Sequence, residues 1–394
     1  MHEAVIVEAL RSPMGRARAD GALAGLHPVE LLAQVIGALL DRTGVDPALV
    51  DDVVVGCVTQ SGEQSGNVGR MAWLAADGPE HVPAVTVERK CGSSQQALQF
   101  AAQGVMAGGY DLVVVAGVES MSRVPIGSNR QGADIHGPSV ERRYAPGLVP
   151  QGVSAELIAN NWALERQQLD AFAALSHQRA AEAAVGGAFA RETVPIRVPG
   201  AVRPVDTDET IRPATTAETI ASLRPAFRTD ALAERFPEVD WRITAASSSQ
   251  LTDGASAVLI ASDRMARRLK LPSRARFRAF RACGDDPLLM LTGPIRATRE
   301  ILARTGLRLD QMQHVEINEA FASVPLAWQA ELGASIDTLN PRGGAIALGH
   351  PLGATGCRLL TTMLHAMEDA DQRYGLQAVC EAGGMANALI LERD

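Results

Sequence analysis

This chain is poor in aromatic residues and has no long apolar stretch. Phe, Trp and Tyr make up 4% of its 394 residues, and no run reaches the roughly 18 apolar residues of a membrane span. Its N-terminus, Met1-His2-Glu3-Ala4-Val5-Ile6-Val7, has neither the basic start nor the apolar core of a secretory signal. These absences lead us to expect a cytoplasmic protein with no membrane partner. Cysteine is scarce and odd in number, at positions 57, 91, 283, 357 and 380, with no CxxC pair and no close Cys/His spacing. A disulfide framework and a structural zinc site are both disfavoured, so reduced thiols and no metal are expected. Net positive charge is lacking too: the formal charge of −8 argues against general nucleic-acid affinity. The densest basic stretch, Arg264 to Arg281, reads as a solvated face.

What is present is apolar material, 46% of the chain, enough for a large core in two or three domains. Strand-like and amphipathic runs alternate over the first 120 residues. Ala4 to Val7, Val53 to Val58 and Leu112 to Ala116 read as strands, while Pro28 to Thr43 and Gln95 to Ala107 read as helices. The last third repeats this pattern, with helices at Arg296 to Thr305 and Gly356 to Met367, a strand at His314 to Ile317, and another opening at Ala378 to Cys380. We therefore expect an α/β protein of two similar halves packed face to face with the site between them. The first half is 1–120, continued at 246–270, and the second is 271–394. Residues 121–245 form an inserted loop domain around one helical segment, Ala155 to Ala184. A long insertion suggests a functional lid, and its Arg212-Pro213 and Leu223-Arg224-Pro225-Ala226-Phe227 set basic groups beside apolar ones, as an adenine nucleotide requires. On spacing alone a plain surface loop fits equally well.

Cys91 follows the β-leaning run Ala84-Val85-Thr86-Val87 and opens a helix beginning Gly92-Ser93-Ser94. A thiol at a helix start faces unpaired N–H groups and the positive end of the dipole, which favour a thiolate. That contribution, about 0.3–1 kcal/mol, falls short of the gap between a free thiol and neutral pH, so a basic partner is needed. His350 stands out among eight histidines because it lies in the glycine-rich run from Gly343 to Gly356. That run lacks the Gly-Lys-Ser/Thr ending of a phosphate loop and does not spell GxGxxG. Seen alone, its His-Pro turn is as readily structural. Cys380 ends an apolar strand before Glu381-Ala382-Gly383-Gly384, where it serves either as packing or as a second proton-transferring thiol. Asn318 and Glu319 follow the strand His314 to Ile317, at the carboxyl end where α/β active sites collect. Asn318 there holds a water, orients a histidine, or simply caps a helix.

Taken in order, four motifs resemble the thiolases, acetyl-CoA C-acyltransferases: Cys91-Gly92-Ser93, Asn318-Glu319-Ala320-Phe321, Gly349-His350-Pro351-Leu352-Gly353-Ala354-Thr355-Gly356, and Cys380-Glu381-Ala382-Gly383-Gly384. The loop Thr244 to Ala255 is similar to the family's pantetheine-contacting loop, with Ser249 at the serine position. The resemblance implies a five-layered α-β-α-β-α fold, a homodimer or homotetramer, and CoA as substrate with no permanently bound cofactor. It assigns Cys91 as the nucleophile, His350 as its activator, Cys380 as the second acid–base, and Asn318 as the holder of a water. The backbone amides of Cys91 and Ala382 would share an oxyanion hole. Arg212, Thr219, Ser249 and Phe321 would meet CoA.

Two departures bear on the substrate. Ala382 replaces the first glycine of the usual Cys-x-Gly-Gly-Gly, and Pro150-Gln151-Gly152 stands where acetoacetyl-specific members have His-Met-Gly. Together with Cys57 to Gln64 and Cys91 to Gln96, these are similar to degradative members that act on bulky or sterol-derived acyl groups. A ketoacyl-synthase-type condensing enzyme and a non-catalytic acyl-CoA or lipid-binding relative are the competing expectations. Cys380 speaks against the first and the thiol pair against the second.

Overall fold

The computed structural model describes residues 2–394. Its ten strands are β1 (Ala4–Arg11), β2 (Gly15–Arg16), β3 (Asp52–Gly56), β4 (Ala84–Val87), β5 (Leu112–Ser120), β6 (Thr252–Ser262), β7 (Ala275–Gly284), β8 (His314–Ile317), β9 (Tyr374–Glu381) and β10 (Met385–Glu392). They run in the order β4-β3-β5-β6-β1-β7-β10-β9-β8, with β2 paired to β6. The strands of the two halves pair at only two register positions, Val5 with Arg276 and Ile6 with Ala275, so the hydrogen-bonded ribbon is continuous but narrow at its centre.

The halves match strand for strand. β3 and β5 are parallel, β5 and β6 antiparallel, and β6 and β1 antiparallel. In the second half β8 and β9, β9 and β10, and β10 and β7 repeat those relations. The position of β4 is taken there by a single parallel bridge between Val315 and Leu339.

Period-two alternation divides each strand between two layers. Val53, Val55, Leu112, Val114 and Leu259 face an outer layer that includes helix Pro28–Thr43, while Val54, Val113, Val115, Val258 and Ile260 face the middle. The middle layer holds two helices, Ser93–Met106 and Thr355–Asp369, which also meet Phe277, Leu389 and Leu391 from the second half. Ala388 and Ile390 turn the other way, toward helices Gly293–Thr305 and Ser323–Leu332 around the buried Trp328. The result is the α-β-α-β-α stack.

Local signals explain where the elements stop. Helix Pro28–Thr43 has proline in its first turn, the His27 ring accepting from the Val29 N–H, and Gly44 in the left-handed region at φ 62°. The segment expected as one helix from Ala155 to Ala184 is instead two, Gln151–Asn161 and Arg166–Val185. Ala163 takes a positive φ of 49°, and a new capping box between Glu165 and Gln168 restarts the helix. Ala378 to Cys380 closes a strand rather than opening one, because β9 begins at Tyr374. The basic run from Arg264 is largely the expected solvated face, with Arg264, Arg267, Arg268 and Arg278 exposed, while Arg274 is paired with Glu8 and Glu368 and Arg276 with Glu392.

Candidate active site

Cys91 sits in the turn between β4 and the middle-layer helix Ser93–Met106. Lys90 is left-handed at φ 47°, and the Ser93 hydroxyl closes the turn by accepting from the Arg89 N–H (2.9 Å) and donating to the Lys90 carbonyl (2.6 Å). The thiol is only 4% exposed and packs with Met121, Leu352, Leu359 and Val379. Burial raises it well above an ordinary thiol, and a charge formed on the neighbouring Cys380 or Glu381 would push in the same direction. The small thiolate-favouring contribution expected of a helix start, worth about 0.3–1 kcal/mol, is outweighed here by desolvation. At rest Cys91 carries its proton, and the thiolate must form in the step that uses it.

The His350 loop supplies an acceptor for that proton. The Thr355 hydroxyl donates to the Pro351 carbonyl (2.8 Å), so at 2.7 Å from the His350 Nδ1 it can only accept, and the ring proton belongs on Nδ1. Nε2 is then the ring's acceptor nitrogen. Burial, reinforced by the Arg358 cation, lowers the ring to about 3, which keeps the imidazole neutral. The backbone N–H of His350 donates to the Thr252 hydroxyl (3.0 Å) and the Gln250 carbonyl (3.1 Å), fixing the loop on the start of β6.

Asn318, just beyond β8, meets the same point from the other side. Its amide Nδ2 lies 3.5 Å from His350 Nε2 and 3.9 Å from Cys380 Sγ, while its Oδ1 has no partner among the described residues. It caps no helix, since the next one begins at Ser323. Cys380 lies near the end of β9, is fully buried, and is pushed up to about 12, chiefly by burial. Four of the five expected site residues thus converge: Cys380, Asn318 and His350 through these distances, and Cys91 through its packing with Val379, the residue before Cys380. The fifth, Ala382, follows in the turn after β9, and neither its N–H nor that of Cys91 donates to an acceptor among the described residues.

Two buried carboxylates hold the loops in register, a role the sequence reading missed. Glu119 accepts from the N–H groups of Val58, Thr59 and Gly353 and from Gln64 Nε2, each at 2.9 Å, and so ties the first half to the His350 loop. Glu319 accepts from Ser176 (2.7 Å), Asn340 (2.9 Å) and the Ile346 N–H (3.1 Å), joining the insertion to the second half. Runs such as Val-Glu-Ser carry no signal that distinguishes such a clamp from a surface acid.

The expected CoA contacts are spread wider. Ser249 lies alongside Asn318–Phe321, its N–H donating to the Ala320 carbonyl (3.0 Å). Phe321 packs edge-to-face on Phe227 of the insertion, with centroids 5.6 Å apart. Arg212 is exposed and donates to Gln250 (3.0 Å), whose own amide reaches the carbonyls of Thr210 and Ile346 (2.9 Å each). Thr219 is exposed too, but its hydroxyl is engaged in the capping box of helix Ala217–Ile220. Partial burial and then the nearby cations Arg18 and Arg16 lower the Arg212 guanidinium, so three arginines gather where Glu209 neutralises only Arg16. Arg16 and Arg18 are 194 or more positions from Arg212 in the chain, beyond any local motif.

The neutral His350 leads to a direct expectation. In protein labelled at its histidines, the His350 ring resonances should stay unshifted by NMR from about pH 8 down to pH 5, whereas a solvated histidine titrates near 6.5. A His350 midpoint near 6.5 would contradict the buried, Thr355-bound ring.

With this geometry in place, comparison with known proteins is informative. Residues 4–264 match the thiolase N-terminal domain and residues 271–393 the thiolase C-terminal domain. A steroid 3-ketoacyl-CoA thiolase, FadA6 of Mycobacterium tuberculosis, is 46% identical over 100% of this chain and 95% of its own. A 3-ketoacyl-CoA thiolase of Pseudoalteromonas translucida is 42% identical over 100% of this chain and 99% of its own. The crystal structure of the Bacillus anthracis acetyl-CoA acetyltransferase superposes with a TM-score of 0.88 at 34% identity, covering 100% of this chain and 99% of that one. The two domain matches, on a fold that brings two thiols, an imidazole and an amide to one point, establish that this chain belongs to the thiolase family.

Proposed function

We propose that this thiolase cleaves 3-ketoacyl-CoA with CoA to give acetyl-CoA and a shortened acyl-CoA, reversibly, through an acyl-Cys91 intermediate. The observation that carries the reading is the buried His350 ring, its Nδ1 2.7 Å from the Thr355 hydroxyl and its Nε2 turned toward a buried Asn318–Cys380 pair. Nε2 takes the Cys91 proton as the sulfur attacks the keto carbonyl, so no stable thiolate is required beforehand. The same Nε2, now carrying a proton, becomes a donor for the thioester oxygen as the carbon–carbon bond breaks and the acetyl-CoA enolate forms. The free Oδ1 of Asn318 is suited to hold a water there as a second donor. The unengaged N–H groups of Cys91 and Ala382 would receive the oxygen of the attacked carbonyl, each such donor being worth about 2.7–4 kcal/mol. Cys380 gives its proton to the enolate carbon, then takes one from incoming CoA, whose sulfur removes the acyl group from Cys91. The released Cys91 sulfur recovers its proton from His350 Nε2, so protons and acyl group balance with CoA as the co-substrate.

The acyl group we favour is bulky, in keeping with the steroid-acting relative, with Gln151 and Gly152 at the insertion and with the apolar lining of Met121 and Leu352 beside Cys91. Arg18 joins Arg212 as a phosphate-binding candidate, since guanidinium groups match phosphate oxygens. The outer strand β4 leaves Val85 43% exposed and the adjoining helix leaves Phe100 47% exposed, an apolar sheet edge fitted to a second copy of this chain. All five cysteines are unpaired and, among the described residues, no helix is long and apolar enough to cross a membrane; we place the protein in the cytoplasm on the reduced thiols.

The loss of 3-ketoacyl-CoA absorbance on adding CoA tests the scheme. Cys91→Ala should lower turnover by at least about 10³-fold, and Cys380→Ser by about 10²–10⁴-fold with acetyl-CoA exchange lost. Full turnover in the first variant, or unchanged exchange in the second, would show that the assignment is wrong. Arg18→Ala should raise the KM for CoA about three- to tenfold with kcat unchanged, corresponding to one charge-assisted contact worth about 1 kcal/mol. An unchanged KM would remove Arg18 from the phosphate site.

A further inference from the structure

Glu381 is a buried acid beside both thiols that the mechanism above does not use. It is the last residue of β9, between Cys380 and Ala382, and is 0% exposed. Neither carboxyl oxygen has a hydrogen-bond partner, and it is the only carboxyl among the described buried side chains with both oxygens so placed. A Cβ on Gly92 would stand 1.8 Å from Oε1, so the carboxyl lies directly against the residue after Cys91, at the head of helix Ser93–Met106. Glu119, the other buried acid whose charge reaches Cys91, is the opposite case, with four donors on it.

An unsolvated, unbonded carboxylate is costly, and so are two anions at one helix start. We propose that Glu381 is a positioning residue that stays a neutral acid during turnover near neutral pH, leaving the helix terminus to the developing Cys91 thiolate, and that its ionisation at higher pH opposes that thiolate. The groups facing the carboxyl are Arg89 and Glu88 from the segment before the helix, Cys91 at the turn and Cys380 on its own strand. Burial raises the acid to about 8, with Arg89 working against the shift and Glu88 adding to it. The sign follows: below that pH the carboxyl is uncharged and does not affect Cys91, and above it each ionised Glu381 disfavours the Cys91 anion.

This inference rests on Cys91 being the reactive thiol, and the test separates the two. The full-length enzyme is alkylated with iodoacetamide between about pH 6 and 10, and the rate at the Cys91 peptide is read by mass spectrometry. In the wild type the rate should climb about tenfold per pH unit, flatten near pH 8 and climb again. Glu381→Gln and Glu381→Met, both neutral and of similar length, should rise without the plateau, matching wild type near pH 6.5 and exceeding it about fivefold or more at pH 9.5. A wild-type profile without the plateau overturns the inference whether or not the variants fold. So does a plateau that persists in either folded variant. A Cys91 no more reactive than the buried Cys357 would overturn the nucleophile assignment and this inference with it.

Discussion

Removal of Cys91 and Cys380 from water is the constraint around which the site is organised. Both thiols are buried and both are raised by that burial, so neither holds a thiolate at rest. A sulfur in that condition becomes a nucleophile only if a base is already aligned and already neutral. The Thr355 hydroxyl and the apolar surroundings of His350 meet both conditions, the first by placing the proton on Nδ1 and the second by keeping the ring uncharged. A charged imidazole would be as unfavourable here as a resting thiolate.

The five-layered stack makes this dryness possible. Each half brings one middle-layer helix, and the starts of the two helices carry Cys91 and the His350 loop. Two register pairs alone join the sheets, so the alignment of the loops depends on side chains that cross between parts of the fold. Glu119 and Glu319 do this with several donors each, which offsets the cost of burying a carboxylate. Glu381 has no such donors, and the contrast marks it as an acid held for its proton rather than for its contacts.

Much of this was legible in the sequence, and what was not has physical reasons. Helix Pro28–Thr43 and strand His314–Ile317 begin and end where the sequence pattern puts them, because their limits are set by local caps and alternation. The helix break at Ala163 was missed, since neither an alanine at positive φ nor the Glu165–Gln168 capping box stands out within a helix-forming run. Cys91, His350, Cys380 and Asn318 stood out because small residues and strand ends surround them. Thr355, Gln250, Arg18 and Glu119 did not, because each acts on a partner in another part of the loop or chain through one or a few bonds. The strength of the opposing effect at Cys91 was hidden for a related reason: a helix start is visible in sequence, whereas the depth of burial is not.

The central claim is that a buried, protonated Cys91 becomes the acyl carrier only as it attacks. It is tested most directly by mixing the enzyme with a 3-ketoacyl-CoA without added CoA, quenching in acid, and weighing the Cys91 peptide. The account predicts a mass increase equal to the shortened acyl group on that peptide, discharged when CoA is added before the quench. An unmodified Cys91 peptide alongside released acetyl-CoA, or an acyl group found on Cys380 instead, would contradict it.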